Sequence, residues 1–102
     1  MTVIGQDVLQ DAGRRNTPLK KWLELWTATA EQRIWHSLEE VKADYPTADG
    51  VKLKSRLVIT IFNVKGNAYR LLTWIDFELQ VVEVLEILTH ADYDKNRWKD
   101  RY

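Results

Sequence analysis

The segment 57–64, Leu-Val-Ile-Thr-Ile-Phe-Asn-Val, constrains the fold of this chain more than any other stretch. Apart from Asn63, its residues are apolar or β-branched on both alternating faces, which is typical of a central strand that is covered on both sides. Lys65-Gly66-Asn67 follows at once, and these residues tolerate the positive φ of a tight turn. We therefore predict a β-hairpin whose return strand is residues 68–75.

A third strand completes this half of the chain. Asp76-Phe77-Glu78 predicts a second turn, and residues 79–88 predict a strand that Glu83 and Glu86 interrupt on opposite faces. Residues 47–55 have no periodic pattern, and we expect them to form a mobile loop.

The first half of the chain is predicted to be helical after a short edge strand, Thr2-Val3-Ile4. A brief helix over residues 6–12 should stop at Gly13. Thr17 and Pro18 predict the start of a longer helix, with threonine as the N-cap and proline at the first helical position. The apolar face of that helix recurs at 3.6-residue spacing over Leu19, Trp22, Leu23, Trp26, Ala30 and Ile34.

A third helix should begin at Ser37-Leu38-Glu39-Glu40, which has the pattern of a capping box. It should end before Tyr45-Pro46, because the residue ahead of proline is displaced from the helical region. The sequence thus predicts an α+β fold in which N-terminal helices pack on one face of a twisted antiparallel sheet. Residues 1–102 are predicted to form a single domain.

Composition excludes several classes of protein. Hydrophobic residues make up 45% and charged residues 29%, which is ordinary for a globular chain. No apolar run approaches the ~20 residues needed to cross a bilayer, and the start lacks the pattern of a signal peptide. Since there is no cysteine, neither disulfides nor thiolate sites are available. We expect a cytoplasmic protein with no membrane partner.

The charges are balanced in number but not in position. The chain has 15 basic and 15 acidic residues, yet residues 51–75 contain only cations and residues 76–92 only anions among their charged side chains. The cations are Lys52, Lys54, Arg56, Lys65 and Arg70. Such a distribution is compatible with a solvated sheet face, and equally with contacts to a nucleic-acid backbone.

Four side chains are candidates for chemistry. His90 follows the last predicted strand, where it is either a polar edge residue or a group that transfers protons near neutral pH. Arg70 lies in an otherwise apolar strand, so it either extends to the sheet edge or presents a guanidinium to a phosphate. If the strands pair in sequence order, Lys65 and Tyr93 join them in one cluster.

Other sites are poorly supported. His90 with Asp92 or Asp94 offers too few ligands for a metal, and Lys65-Gly66-Asn67 is not a nucleotide-binding loop. We expect no metal and no cofactor. His36 most simply terminates a helix. Trp22 and Trp26 should be core, Trp35 half-buried, and Trp98 packed against the sheet.

Two segments resemble the HigB family of type II toxins, within the RelE/ParE superfamily. They are Phe62-Asn63-Val64-Lys65-Gly66-Asn67-Ala68-Tyr69-Arg70-Leu71 and Thr89-His90-Ala91-Asp92-Tyr93-Asp94-Lys95. The resemblance implies a small RelE/ParE-like fold and a metal-independent mRNA interferase. Such an enzyme cleaves translated mRNA on the ribosome by attack of a ribose 2′-OH, and a helix-turn-helix antitoxin of the HigA type neutralises it.

By the same resemblance, His90 or Lys65 would transfer protons and Arg70 would stabilise the phosphorane. Tyr93 would orient a phosphate or donate a proton. The RNA backbone would be held by Asn63, Asn67 and Lys95, with Lys54 and Arg56 from the basic stretch.

The chain departs from the family pattern at Leu88, where relatives commonly have glycine, and in its neutral net charge. Relatives often carry an arginine in the last strand, where this chain has Leu85 flanked by Glu83-Val84 and Glu86. Two alternatives therefore stay open. One is a ParE-like toxin that poisons DNA gyrase by binding, and the other is a non-catalytic homologue that only binds an antitoxin. A small helix-turn-helix reading frame beside the gene would favour a toxin, either the mRNA interferase or the ParE-like gyrase poison, over the non-catalytic homologue.

Overall fold

The computed structural model describes residues 1–66 and 68–102. Its elements in chain order are β1 Thr2–Ile4, α1 Gln6–Gly13, α2 Thr17–Gln32, α3 Leu38–Asp44, β2 Asp49–Lys52, β3 Val58–Val64, β4 Tyr69–Asp76, β5 Val81–Thr89, α4 His90–Asp94 and a 3-10 turn Arg97–Asp100.

The five strands form one sheet in the order β1-β5-β4-β3-β2. The strands from β2 to β5 pair antiparallel, as predicted, whereas β1 pairs parallel to β5. The N-terminal helices pack on one face of this sheet, so the predicted α+β architecture is confirmed, with one parallel pair making the sheet mixed.

The face beneath α1 and α2 holds the larger core. Leu23, Trp26 and Ala30 on α2 are buried, and the ring of Trp26 meets Phe62 of β3 edge to face at 5.3 Å. Trp22 is only half-buried. Ile34 lies outside the helix and is 68% exposed, because α2 ends at Gln32 and the chain is extended at the next residue.

The opposite face of the sheet has a smaller core of its own. Its buried members are Leu53, Ile59, Ile61, Leu72 and Trp98. The segment from α4 to the C-terminal 3-10 turn covers part of this face, and Trp98 is fully buried against it, as predicted. Cover on both sides explains why β3 is apolar at consecutive positions.

The start of α2 lies one residue earlier than predicted. Asn16 is the N-cap, and its side-chain oxygen accepts from the Leu19 N–H at 3.1 Å, so Thr17 and Pro18 occupy the first two helical positions. Asparagine caps as well as threonine does, and proline forfeits no intrahelical bond in the first turn.

The predicted cap of α3 is confirmed. Ser37 accepts from the Glu40 N–H, while the Glu40 carboxylate accepts from the His36 N–H instead of the Ser37 N–H. The helix ends at Asp44, before the proline, as predicted.

α1 ends at Gly13, as predicted, and Gly13 is itself the last helical residue. A Cβ there would lie 2.9 Å from the Lys20 Cβ, so its role is the close approach of α1 to α2. The expectation for Trp35 is wrong. Trp35 is 1% exposed instead of half-buried, because its indole N–H donates to Asp44 at 2.9 Å and its carbonyl accepts from Gln80 at 2.7 Å.

The loops also differ from the predicted ones. Within the expected mobile loop 47–55, Asp49–Lys52 is an edge strand that pairs with β3. Lys65 and Gly66 have φ of 51° and 67°, which confirms the hairpin turn, while Asn67 lies outside the described residues. The second turn is longer than predicted because the Asp76 carboxylate accepts from the N–H groups of Glu78 and Leu79, and β5 therefore begins at Val81.

No helix in the described part of the chain is long and apolar enough to cross a membrane.

Candidate active site

Asn63, Arg70 and Leu88 form a row across β3, β4 and β5 at the hairpin end of the sheet. Side chains alternate between the faces of a strand, and the neighbours of Arg70 belong to the core beneath the helices. The row therefore lies on the face opposite α1 and α2. Leu88 lies directly beside Arg70.

The guanidinium of Arg70 lies inside the protein, and the residue is 9% exposed. Its Nη1 donates to the Tyr69 carbonyl at 3.2 Å, and its Nη2 lies 3.3 Å from Nδ1 of His90. Its central carbon is 5.5 Å from the ring centroid of Tyr93, a cation–π distance. Arg70 therefore does not extend to the sheet edge; it faces the histidine and the tyrosine.

The backbone fixes His90 where β5 changes into α4. Thr89 caps this helix by accepting from the Asp92 N–H at 3.2 Å, and the His90 N–H donates to the Ala68 carbonyl at 3.1 Å. The His90 side chain is 49% exposed, so it is accessible to a substrate.

The neighbours of the His90 ring select its tautomer. Nδ1 faces Arg70, which can only donate, so Nδ1 must accept. The proton of the neutral ring then lies on Nε2, 3.5 Å from the Asp94 carboxylate. The imidazole thus holds its basic lone pair beside a cation and its N–H beside an anion.

Tyr93 closes the cluster on the other side of Arg70. Its ring stacks on Trp98 at 5.4 Å with an interplanar angle of 15°, and its carbonyl accepts from the Trp98 indole N–H at 3.2 Å. Burial raises the pKa of the Tyr93 hydroxyl, Asp49 and Asp94 raise it further, and Arg70 opposes them. The hydroxyl is therefore protonated near neutral pH and can donate a hydrogen bond or a proton.

Lys65 is at the same end of the sheet but is exposed in the hairpin turn. Two backbone hydrogen bonds connect this turn to the cluster: the Ala68 N–H donates to the Lys65 carbonyl, and the Ala68 carbonyl accepts from His90. The structure therefore brings Arg70, His90 and Tyr93 into contact, with Lys65 next to them along the backbone.

The predicted RNA-binding residues are more widely spread. Asn63 lies in the row beside Arg70, and Lys95 follows α4, where its ammonium is 3.5 Å from Asp92. Lys54 and Arg56 lie in the turn between β2 and β3, at the far end of β3, which is about 20 Å long. The structure does not bring these two cations to the cluster, and Asn67 lies outside the described residues.

Sequence reasoning missed Asp94 as a partner of His90. The spacing i,i+4 places two side chains on one helix face, but that pattern is informative only once α4 is known to be a helix. Among residues 1–66 and 68–102 there is no group of three or more His, Cys, Asp or Glu side chains that could hold a metal ion.

Comparison with known proteins identifies the family to which this chain belongs. Residues 19–96 match the HigB toxin family, described as the RelE-like toxic component of a toxin–antitoxin system. The chain is 31% identical to the mRNA interferase toxin HigB of Escherichia coli strain K12 over 94 residues, which cover 92% of this chain and 88% of the relative. The mRNA interferases HigB of Escherichia coli O157:H7 and Shigella flexneri show the same identity and coverage.

The family match covers the whole of both segments that suggested the resemblance, residues 62–71 and 89–95. Together with relatives above 30% identity over almost the whole chain, this confirms the resemblance. The chain is therefore a member of the HigB family, the RelE-like toxic components of toxin–antitoxin systems.

Proposed function

We propose that this protein is an mRNA interferase, a metal-independent endoribonuclease that cleaves translated mRNA by attack of a ribose 2′-OH on the adjacent phosphate. The relatives named above are mRNA interferases. The single observation that supports this chemistry best is the contact of Arg70 with both His90 and Tyr93.

The reaction has three requirements. The 2′-OH must lose a proton as its oxygen bonds to phosphorus, the phosphorane must be stabilised, and the 5′-oxygen must gain a proton as its bond to phosphorus breaks. The products are a 2′,3′-cyclic phosphate and a free 5′-OH. A base, a cation and an acid suffice, and the cluster offers one group suited to each role.

Arg70 is the cation. A guanidinium that is buried between an imidazole and a phenol ring acts in a medium of low polarity, where its charge is worth more than in water. Its planar fork matches two oxygens of a phosphate. In the proposed complex Arg70 turns one donor from His90 to the phosphate.

His90 is the base. When Arg70 donates to the phosphate, the Nδ1 lone pair becomes available to the 2′-OH, while Asp94 keeps the Nε2 proton in place. Tyr93 is the proton donor to the leaving oxygen, since burial raises the pKa of its hydroxyl and keeps the proton on it. Lys65 and Asn63 hold the phosphates on either side, with Asn67 and Lys95 farther along the RNA.

Leu88 and the acidic residues of β5 were the features that favoured a decayed site. Glu86 does not face the cluster as a free charge; Arg101 donates to both of its carboxylate oxygens, at 2.7 and 3.1 Å, and Tyr102 donates to one of them. An intact cluster beside a neutralised glutamate favours an active enzyme over a decayed homologue. A gyrase poison would have no need of proton-transferring groups.

The partners follow from family membership. A toxic component of a toxin–antitoxin system has an antitoxin as its partner. We propose that this antitoxin is a helix-turn-helix protein of the HigA type, and that the toxin meets its mRNA on the ribosome. Co-expression with an adjacent reading frame should relieve growth arrest; if no adjacent frame does so, the antitoxin proposal is wrong.

Induced expression followed by primer extension on cellular mRNA tests the activity. The parent protein should arrest growth and create new mRNA ends, whereas His90→Ala and Arg70→Ala should create none. The matched control is His36→Ala, since His36 is an exposed histidine that pairs with Glu40 at 3.1 Å outside the cluster. Undiminished cleavage by both site variants would contradict the proposal. Growth arrest without new RNA ends would favour a toxin that poisons DNA gyrase.

A further inference from the structure

An open cavity of about 570 Å³ lies between the α1–α2 loop and the end of the β4–β5 pair. It is separate from the cluster of Arg70, His90 and Tyr93. Side chains of the loop form one wall and the last residues of the two strands form the other, among them Arg14, Arg15, Asn16, Tyr69, Ile87 and Thr89.

On β4 and on β5, a residue that lines the cavity is followed directly by a residue of the active site. Tyr69 and Thr89 are paired across β4 and β5, and the residues that follow them are Arg70 and His90. Successive Cα atoms are about 3.8 Å apart, and successive side chains point to opposite faces of a sheet. The cavity and the active site therefore lie on the two faces of the same sheet end.

The charge of the cavity wall favours an anion. Arg14 pairs with Asp11 at 3.0 Å, but both side chains are about 70% exposed, and such a surface pair contributes little. A phosphate can therefore displace Asp11 at low cost. In the described part of the chain no ion pair engages Arg15. The two guanidinium groups match the geometry of phosphate oxygens.

A hydrogen bond fixes the loop to the sheet. The Asn16 amide donates to the Tyr69 hydroxyl at 3.2 Å, while its oxygen caps α2. The two arginines precede this anchor directly in the sequence, so their distance from Arg70 is set by the fold. A cationic wall held at a fixed distance from a reaction centre is suited to positioning a polymer.

We infer that this cavity binds the sugar–phosphate backbone of single-stranded RNA a few nucleotides away from the cleaved phosphate, and that the RNA passes around the end of the sheet from one face to the other. The inference rests on the proposed endoribonuclease function and deepens it. Arg14 and Arg15 contact phosphates. Tyr69 and Thr89 line the same cavity; their hydroxyls accept from the Asn16 amide and the Asp92 N–H, and each can still donate to a ribose 2′-OH. These are binding residues and take no part in bond breaking.

RNA binding by an inactive protein tests the inference without reference to cleavage. In a His90→Ala background, the affinity for a 16-nucleotide single-stranded RNA of mixed sequence is measured across salt concentrations. Arg14→Gln with Arg15→Gln should weaken binding roughly tenfold and reduce the slope of log K against log salt by about 1.4, since each phosphate contact on a single strand contributes about 0.7.

The matched control is Lys21→Gln with Lys42→Gln, which removes two exposed charges that do not line the cavity. It should leave the slope nearly unchanged. Equal slopes for the two double variants would overturn the inference, and so would a His90→Ala protein that does not bind the RNA. Retained RNA affinity with lost antitoxin binding would assign the cavity to a protein partner instead.

The two failures are distinguishable. If the parent makes no new mRNA ends while the arginine variant still loses RNA affinity, the cleavage proposal fails and the binding site stands. If the parent cleaves mRNA while the arginine variant binds RNA like the control, only the cavity is wrongly assigned.

Discussion

A single extra residue in β5 determines which side chains lie next to Arg70. The register between β4 and β5 shifts at Leu72/Thr73, so Leu85 is unpaired and Leu88 lies opposite Arg70. Without this bulge, Ile87 would occupy that place and every side chain beyond it would change faces. The sequence predicted that Arg70 and His90 meet, but no pattern in it revealed the bulge that determines how they meet.

Asp94 should act as a positioning residue for His90. We expect Asp94→Asn to lower kcat roughly tenfold, a part of the 10²–10⁴-fold that a positioned base supplies, because the amide no longer favours the Nε2–H tautomer over the alternative. Single-turnover cleavage at saturating RNA measures this effect, and the affinity for RNA should stay unchanged.

Asp92→Asn is the control on the same helix, since that carboxylate pairs with Lys95 at 3.5 Å and not with the histidine. A single-turnover rate of Asp94→Asn equal to that of the control would show that Asp94 does not position His90.

At the scale of elements, helix starts were predictable to within one residue and short elements were not. Asn16 and Thr17 are both good N-caps, and only the observed hydrogen bond to Leu19 decides between them. β2 was missed because Asp49 and Gly50 are poor strand formers. α4 has only five residues, too few for a periodic pattern.

The corrected cap of α2 leads to a stability prediction. Asn16→Ala should lower the free energy of unfolding by about 1 kcal/mol, because the Leu19 N–H and the Tyr69 hydroxyl each lose a partner. Thr17→Ala, at an exposed first helical position, should change it by less than about 0.5 kcal/mol. Urea unfolding of both variants compares them, and a larger loss for Thr17→Ala would restore the original cap assignment.

The C-terminal 3-10 turn should stabilise both the fold and the site. Trp98 is fully buried and stacks on Tyr93, so Trp98→Ala should cost about 3–5 kcal/mol and leave Tyr93 without its support. Denaturant unfolding measures the first effect. Trp98→Phe, which keeps an aromatic ring under Tyr93, should recover most of the cleavage rate; a cost for Trp98→Ala below about 1 kcal/mol would show that the turn is not part of the core.

At the scale of the whole molecule, the net charge is zero, but the positive and negative side chains lie in different places. Cations line the cavity beside the sheet end and one is buried in the cluster, while Glu86 on β5 is neutralised by the C-terminal residues. Counts of charge in the sequence indicated a stripe of cations but could not reveal which charges are paired, because the pairing with Arg101 spans fifteen residues.

Tyr102 should make the free energy of unfolding fall as the pH rises in the alkaline range. Burial and the hydrogen bond to Glu86 raise the pKa of Tyr102 from 10.0 to about 12. Between these values the folded protein keeps a proton that the unfolded chain loses, so stability falls as pH rises through this window. Tyr102→Phe should show a shallower fall between pH 10 and 12 in denaturant titrations, and a slope equal to that of the parent would contradict the assignment.

The central claim is that a ribose 2′-OH attacks the phosphate in this site. The most direct test uses ribosomes that translate a message bearing a single 2′-deoxynucleotide at the position where the parent protein cuts. The all-ribose message should yield a 2′,3′-cyclic phosphate and a 5′-OH end, and the substituted message should stay intact at that position. Cleavage of the deoxy-substituted linkage at the normal rate would contradict the account.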